Sequence, residues 1–270
     1  MSRLIPVLVL VLAACGEGDR PPSRAAGLEG PDATRTVQAQ DVYRVGSIDG
    51  DSWDVFGRVS NVAFDPAGNL YILDGDANHI AVVDPTGVLI RTVGRQGGGP
   101  GEFQAPFGFT PLLDGRLAVF DIGKQGFQVF DEDGAFLESV SVDLSRGSPG
   151  QRIGVRPDGR LVSAGGLRMT FGGPPEDGGE EEPEGRPVSV FSLGGGEMEV
   201  LYTAWAPPPP ETEISETLEG DGGDSMSFSF RTQAFEPGLH FAVLPSGRVA
   251  VVDSTGYRVK VVDQVGSVVE

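Results

Sequence analysis

The chain has 270 residues, enough for one large all-β domain or two ordinary ones, and 39% of them are hydrophobic, so a real core is available. Its 41 glycines and 21 prolines argue against a helical bundle and suit a fold of tight turns. A net charge of -19 repels nucleic acid and anionic lipid head groups, which excludes both as direct ligands of the folded part.

Residues 4–14 are almost entirely apolar and follow Met1, Ser2 and the positive Arg3. The run is too short to span a bilayer, which takes ~20 apolar residues. It reads as the apolar region of a secretory signal peptide. The single cysteine, Cys15, comes directly after it, and with one cysteine no intrachain disulfide can form. The tetrad Leu12-Ala13-Ala14-Cys15 resembles the lipobox of bacterial lipoproteins. The resemblance implies that residues 1–15 are a lipoprotein signal peptide and lipobox, with a diacylglycerol on the Cys15 thiol. The peptide before Cys15 would be removed and the new amino terminus acylated. Two or more acyl chains make such an anchor stable. Gly16 follows the cysteine where an aspartate would favour the inner membrane in enterobacterial lipoproteins, so the resemblance points to the outer membrane. The expected location is the bacterial cell envelope, on the periplasmic side or the cell surface.

Residues 16–40 carry Pro21, Pro22, Pro31, several glycines and mixed charges but few large apolar side chains. Such a composition cannot bury enough surface to order itself and reads as a flexible tether. The texture changes near residue 41, and residues 53–56 lead towards the first of a series of repeats.

Turn glycines recur at Gly68, Gly115, Gly159 and Gly247. An aspartate follows at Asp74, Asp121 and Asp253, with Gly165 in its place in the third unit. A second marker comes at Asp84, Asp131 and Asp263, with Ser192 in a shifted third unit, and leads to Gly87, Gly134, Gly195 and Gly266. Between the markers lie short apolar or alternating runs, such as Leu70-Tyr71-Ile72-Leu73 and Phe127-Gln128-Val129-Phe130. Runs this short between turn residues are strands. Each unit therefore reads as a four-stranded antiparallel meander. Steps of 47 and 44 residues between the first three glycines fit one propeller blade, for which ~40–50 residues is usual. A small sheet buries its faces by standing against neighbours around an axis. The predicted fold is all-β, a β-propeller with about four blades between residues 41 and 270. The long step from Gly159 to Gly247 is assigned to acidic, Gly/Pro-rich loop insertions near residues 172–186 and 207–224. Residues 228–235 alternate aromatic and polar side chains and are expected to enter the fourth blade.

The string Gly94-Arg95-Gln96-Gly97-Gly98-Gly99-Pro100-Gly101-Glu102-Phe103 resembles the inter-blade signature of NHL-repeat proteins. Asp65-Pro66-Ala67-Gly68-Asn69-Leu70-Tyr71 and Asn78-His79-Ile80 fit the same repeat. From about Val42 onwards the chain looks like the bacterial six-bladed NHL-type propeller lipoproteins. The likeness is strong in the first two units, fair in the fourth and poor in the third. That family has six blades, whereas four units are counted here, so either the chain is truncated at its C-terminus or its ring is smaller than the family's, and the first is favoured.

Related propellers include zinc lyases and calcium lactonases. His79 and His240 are the only histidines and stand in non-equivalent places, which rules out a three-histidine zinc site. Asp74, Asp121 and Asp253 could converge on a metal or substrate, but repetition at one structural position favours turn residues that accept backbone hydrogen bonds. Asp84, Asp131 and Asp263 precede glycine in hairpin turns and are read as structural. No G-x-S-x-G or P-loop motif occurs, and the glycine run at 97–101 lacks a following lysine and helix. No catalytic, cofactor or metal residue is assigned, and calcium at the propeller axis stays open. Trp53, Trp205, Phe107, Phe109 and Tyr257 either line a binding face or wedge between blades, and the second is favoured. Arg91, Arg95, Arg258 and Lys260 are the sparse cations near blade ends, read mostly as solvated.

The expected function is that of a monomeric, non-enzymatic scaffold, held on the membrane by Cys15, binding a protein, peptide or glycan through variable loops. A metal-dependent lactonase-like or lyase-like enzyme is the alternative, since one fold hosts many functions.

Overall fold

The structure is a computed structural model that describes residues 36–51, 53–143, 148–165, 185–195, 198–206, 214–219, 225–230, 238–254 and 258–269, with the backbone alone described for 214–219 and 225–230. The Cys15 lipobox, most of the tether, the acidic stretch at 172–184 and Tyr257 lie outside these residues. The chain divides into two units, Met1–Asp41 and Val42–Glu270. In the first, residues 36–41 are exposed and have no regular structure.

The second unit is built of sheets. Strands β1 (Val59–Phe64), β2 (Leu70–Asp74), β3 (His79–Val83) and β4 (Leu89–Val93) form the first, ordered as in the sequence and antiparallel throughout. Strands β5 (Pro106–Pro111), β6 (Leu117–Asp121), β7 (Gly126–Phe130) and β8 (Phe136–Ser141) repeat the pattern. So do β9 (Ile153–Val155), β10 (Leu161–Ala164), β11 (Arg186–Phe191) and β12 (Glu199–Ala204). After a two-stranded hairpin, β13 (Ile214–Glu219) and β14 (Ser225–Phe230), the fourth blade consists of β15 (His240–Val243), β16 (Val249–Val252) and β17 (Lys260–Val262). A bridge between Val262 and Val268 begins the place of its fourth strand. Among the described residues the one helical element is a 3₁₀ turn at Ile122–Lys124.

The turn residues explain the meanders. Asp84 Oδ1 accepts from the N–H of Thr86 and Val88 at 2.8 and 3.0 Å, and Asp131 and Asp263 repeat the arrangement. Gly87, Gly134, Gly195 and Gly266 close the four turns with φ between +85° and +94°, which other L-residues rarely adopt. Ser192 stands in for the aspartate in the third blade, its Oγ accepting from the Gly194 N–H at 3.1 Å. These carboxylates and this hydroxyl are structural, as their repetition implied.

Alternation then divides each strand between two neighbours. Tyr71, Leu73, Ile80 and Val82 of the first blade meet Phe109, Leu117, Val119 and Phe130 of the second. Ala118, Phe120 and Phe127 of the second meet Ile153, Leu161 and Phe191 of the third. Val162, Val188 and Val190 of the third meet Phe241, Val249, Val251 and Val262 of the fourth. The core of the unit is thus three inter-blade cores in series. Inner strands β1, β5, β9 and β15 touch in that order.

Two expectations are corrected. Residues 228–230 do not enter the fourth blade: they end β14, which pairs with β13 in a sheet of its own. Residues 214–219, expected in a loop, are the partner strand. Both segments alternate, and the glycine-rich link between them makes their local pairing cheaper than joining a distant sheet.

Candidate functional site

An antiparallel meander sorts its connections to two ends. The β1–β2 and β3–β4 turns and their equivalents are tight hairpins on one rim. The β2–β3 and β4–β5 connections and their equivalents lie on the other. That second rim carries the 94–105 linker, and the long connections of the third and fourth blades leave from it at Gly165 and Trp205. Length and variety are gathered on one side of the blades, and this rim is the candidate site.

At its floor sit the repeated aspartates, all buried. Asp74 accepts from the backbone N–H of Gly57, Arg58, Asp76 and Ala77 at 2.8–3.2 Å. Burial pushes its carboxyl up, but these four donors outweigh that and hold it below the ordinary carboxylate value. Asp121 accepts from Gln104, Ala105 and Lys124 N–H at 2.8, 3.0 and 3.3 Å. Each carboxylate therefore staples the segment entering its own blade. In the third blade, where Gly165 replaces the aspartate, Ser163 supplies the staple: its Oγ accepts from Gly150 N–H at 2.7 Å and donates to the Arg152 carbonyl at 3.2 Å.

The fourth blade modifies the theme. Asp253 Oδ2 accepts from Trp205 N–H at 2.8 Å and from Lys260 Nζ at 2.7 Å. Lys260 also donates to the Tyr202 hydroxyl at 3.0 Å, and Arg186 donates to the Asp253 and Trp205 carbonyls. The Asp253 contact, then the Tyr202 contact, raises the Lys260 pKa. Burial pushes Asp253 up, but Lys260 and the Trp205 N–H pull it below its usual range. Trp205, 44% exposed, crowns this knot.

The glycine run is an inter-blade latch. Phe103 is fully buried between the first two blades, edge-on to Phe130 at 5.7 Å. Arg95 Nε and Nη2 donate to Glu102 Oε1 at 2.9 and 2.8 Å, Gly99 N–H donates to Glu102 Oε2 at 2.8 Å, and Lys124 Nζ donates to the Gly99 carbonyl. Gly94 has φ +77°, and a Cβ there would lie 2.0 Å from the Phe103 ring.

The remaining candidates disperse. Phe109 is wedged between blades, Phe107 is partly buried against the second inter-blade core, and Trp53 is half-buried. His79 is half-buried and its Nε2 has no hydrogen-bond partner, whereas His240 is exposed. Among the described residues no three His, Cys, Asp or Glu side chains group as metal ligands. Of the four cations, Arg95 and Arg258 are exposed, as expected, whereas Arg91 and Lys260 are part-buried and engaged. Arg91 donates to the Tyr71 hydroxyl at 3.2 Å inside an inter-blade contact, Arg95 is held by Glu102, and Lys260 by Asp253 and Tyr202. Arg258 is exposed. Sequence reasoning missed the Lys260 knot, though a signal existed: Lys260 occupies the inward place held by Ala81 and Gln128 in other blades.

Repeated four-residue turns, radial antiparallel sheets and cores shared between neighbours define a β-propeller. No family model matches the chain. Part of it is 28% identical over 119 residues to mouse NHL repeat-containing protein 3, covering 43% of this chain and 34% of that protein, and 27% identical to the human protein over the same length. The match thus spans about a third of these relatives. Among solved structures, an exported protein of Bacteroides fragilis, so described provisionally, superposes with a TM-score of 0.53 at 13% identity, covering 84% of this chain and 53% of that one. An inactive virginiamycin B lyase from Staphylococcus aureus superposes with a TM-score of 0.41 at 10% identity, covering 82% and 70%. Over the matched 119 residues the repeats of this chain are similar to those of these NHL repeat-containing proteins.

Proposed function

We propose that the protein is a lipid-anchored, extracytoplasmic propeller that binds a protein, peptide or glycan on the rim of long connections and catalyses no reaction. The observation that carries this reading is the saturation of the rim's repeated carboxylates by backbone donors beneath connections of unequal length. Asp74 and Asp121 spend their lone pairs on the incoming chain and on the turn that follows, so they serve as struts. The reading places the chain on the membrane through Cys15, in the bacterial envelope with the outer membrane favoured.

Two experiments test it. Cys15→Ser should move the protein from the membrane fraction to the soluble envelope fraction; retention on the membrane removes the anchor. A photocrosslinker at Trp205 should capture an envelope component that one at Asp133, on the hairpin rim, does not. Equal capture at both positions, or a calcium-dependent hydrolase or lyase activity of the purified full-length chain, overturns the scaffold reading.

A further inference from the structure

Each of the first three blades buries one face on the blade that follows. The residue four places before the second turn marker lies on that face: Ile80, Phe127 and Val188, at 0%, 1% and 0% exposure. The same place in the fourth blade holds Val259, which is 59% exposed. Its neighbours on that face are little better covered. Ala242 is exposed, and Ala250, Val252 and Val261 are half-buried. The residues that alternate with them, Phe241, Val249, Val251 and Val262, are buried against the third blade.

The other end of the series has a cover of its own. Ile72, Ala81 and Val83 lie on the face of the first blade that no blade precedes, yet they are buried. The entering segment lies over that face: a Cβ at Gly87 would lie 2.9 Å from the Tyr43 side chain, as one at the equivalent Gly134 would lie 3.0 Å from Val93 of the preceding blade. The cover stops short of β1, where Val62 and Phe64 stay exposed. The fourth blade's outer face has no such cover among the described residues. It presents alanine and valine side chains, with His240 at one end, in a chain of net charge -19. Depletion of charge is what sets the core of an interface apart from ordinary surface.

We infer that this face of the fourth blade is the twofold interface of a homodimer, with the fourth blades of two copies standing face to face. Blade against blade is how the molecule buries its other apolar faces, so the contact continues an arrangement used three times within the chain. A twofold contact is isologous: it uses the same face on both copies and closes at two. The half-covered first blade disfavours the alternative, a head-to-tail contact of fourth blade on first, which would repeat into a ring or a filament. Two chains of this charge repel each other, so salt should tighten the dimer. The interface uses neither rim, so it stands independently of the scaffold reading, and it departs from the expectation of a monomer.

Size-exclusion chromatography with light scattering tests it on the full chain carrying Cys15→Ser, so that acyl chains cannot drive association. The expected mass is that of two chains, with the dimer persisting to lower concentration as salt is raised. Val259→Glu and Ala250→Glu, made singly in that background, should each give the mass of one chain with an unchanged circular dichroism spectrum, because Val259 is exposed and Ala250 half-buried in the single copy. Phe64→Glu, on the first blade, should leave the dimer intact. Of Ala242→Cys, Ala250→Cys and Val261→Cys, at least one should form a disulfide with its own counterpart on oxidation, since a twofold axis would cross the face they share. A single-chain mass at millimolar concentration sinks the inference. So does a dimer that survives both glutamate substitutions on the fourth blade, one that Phe64→Glu breaks, or the failure of all three cysteines to join like to like.

Discussion

Asp121 is worth more to the fold than a surface carboxylate because three backbone N–H groups depend on it. Asp121→Ala should lower the unfolding free energy by about 3 kcal/mol, the scale of leaving charge-assisted bonds unmade at a buried site, as read by urea denaturation. The same staples set a pH dependence. Asp74 and Asp253 have folded-state pKa values below the ordinary one. Their contribution is therefore complete above about pH 4, the unfolded value, and is lost as pH falls through the folded values. Lys260 has a raised folded-state pKa, so its contribution is complete below about pH 10.4 and lost as pH rises past it. Urea midpoints against pH should show a plateau bounded by an acid and an alkaline decline. Asp74→Asn should lower the plateau and flatten the acid limb; an unchanged acid limb would mean Asp74 keeps its ordinary pKa. The staples were legible because aspartate recurs at one offset from a turn glycine. Lys260 was not, because a single cation in a weak repeat looks like a surface residue until its neighbours are placed.

The latch between the first two blades joins residue chemistry to element placement. Gly94 permits a left-handed turn and leaves room for the Phe103 ring, so the linker can cross from β4 to β5 with its aromatic inside. Gly94→Ala should cost about 2–4 kcal/mol, combining backbone strain at positive φ with overpacking. Glu102→Gln should cost far less than Gly94→Ala, because its partner Arg95 is solvated. Differential scanning calorimetry of the two variants separates the roles; a larger loss for Glu102→Gln would make the latch electrostatic instead. Meander strands were readable wherever turn chemistry punctuated them. Between Gly159 and Gly247 the punctuation thins and alternation alone cannot choose a partner strand, so the pairing of β14 with β13 is not legible in the sequence.

At the scale of the whole propeller, stability travels from blade to blade through shared side chains, because each core belongs to two sheets and no core belongs to all. Phe127 stacks on Phe191 of the next blade, with ring centroids 5.3 Å apart and planes 26° from parallel, and meets Phe120 of its own. Phe127→Ala should cost about 3–5 kcal/mol, as for other buried phenylalanines. Nearest-neighbour coupling then predicts where the loss appears. Hydrogen exchange should quicken in β5–β8 and in β9–β12, whose common core is opened. The amides of β2 and β3 should keep most of their protection, since Tyr71, Leu73, Ile80 and Val82 still pack on the intact face of the second blade. Equal loss of protection in every sheet would instead make the blades one cooperative unit, and the serial arrangement of cores would not govern how the molecule opens.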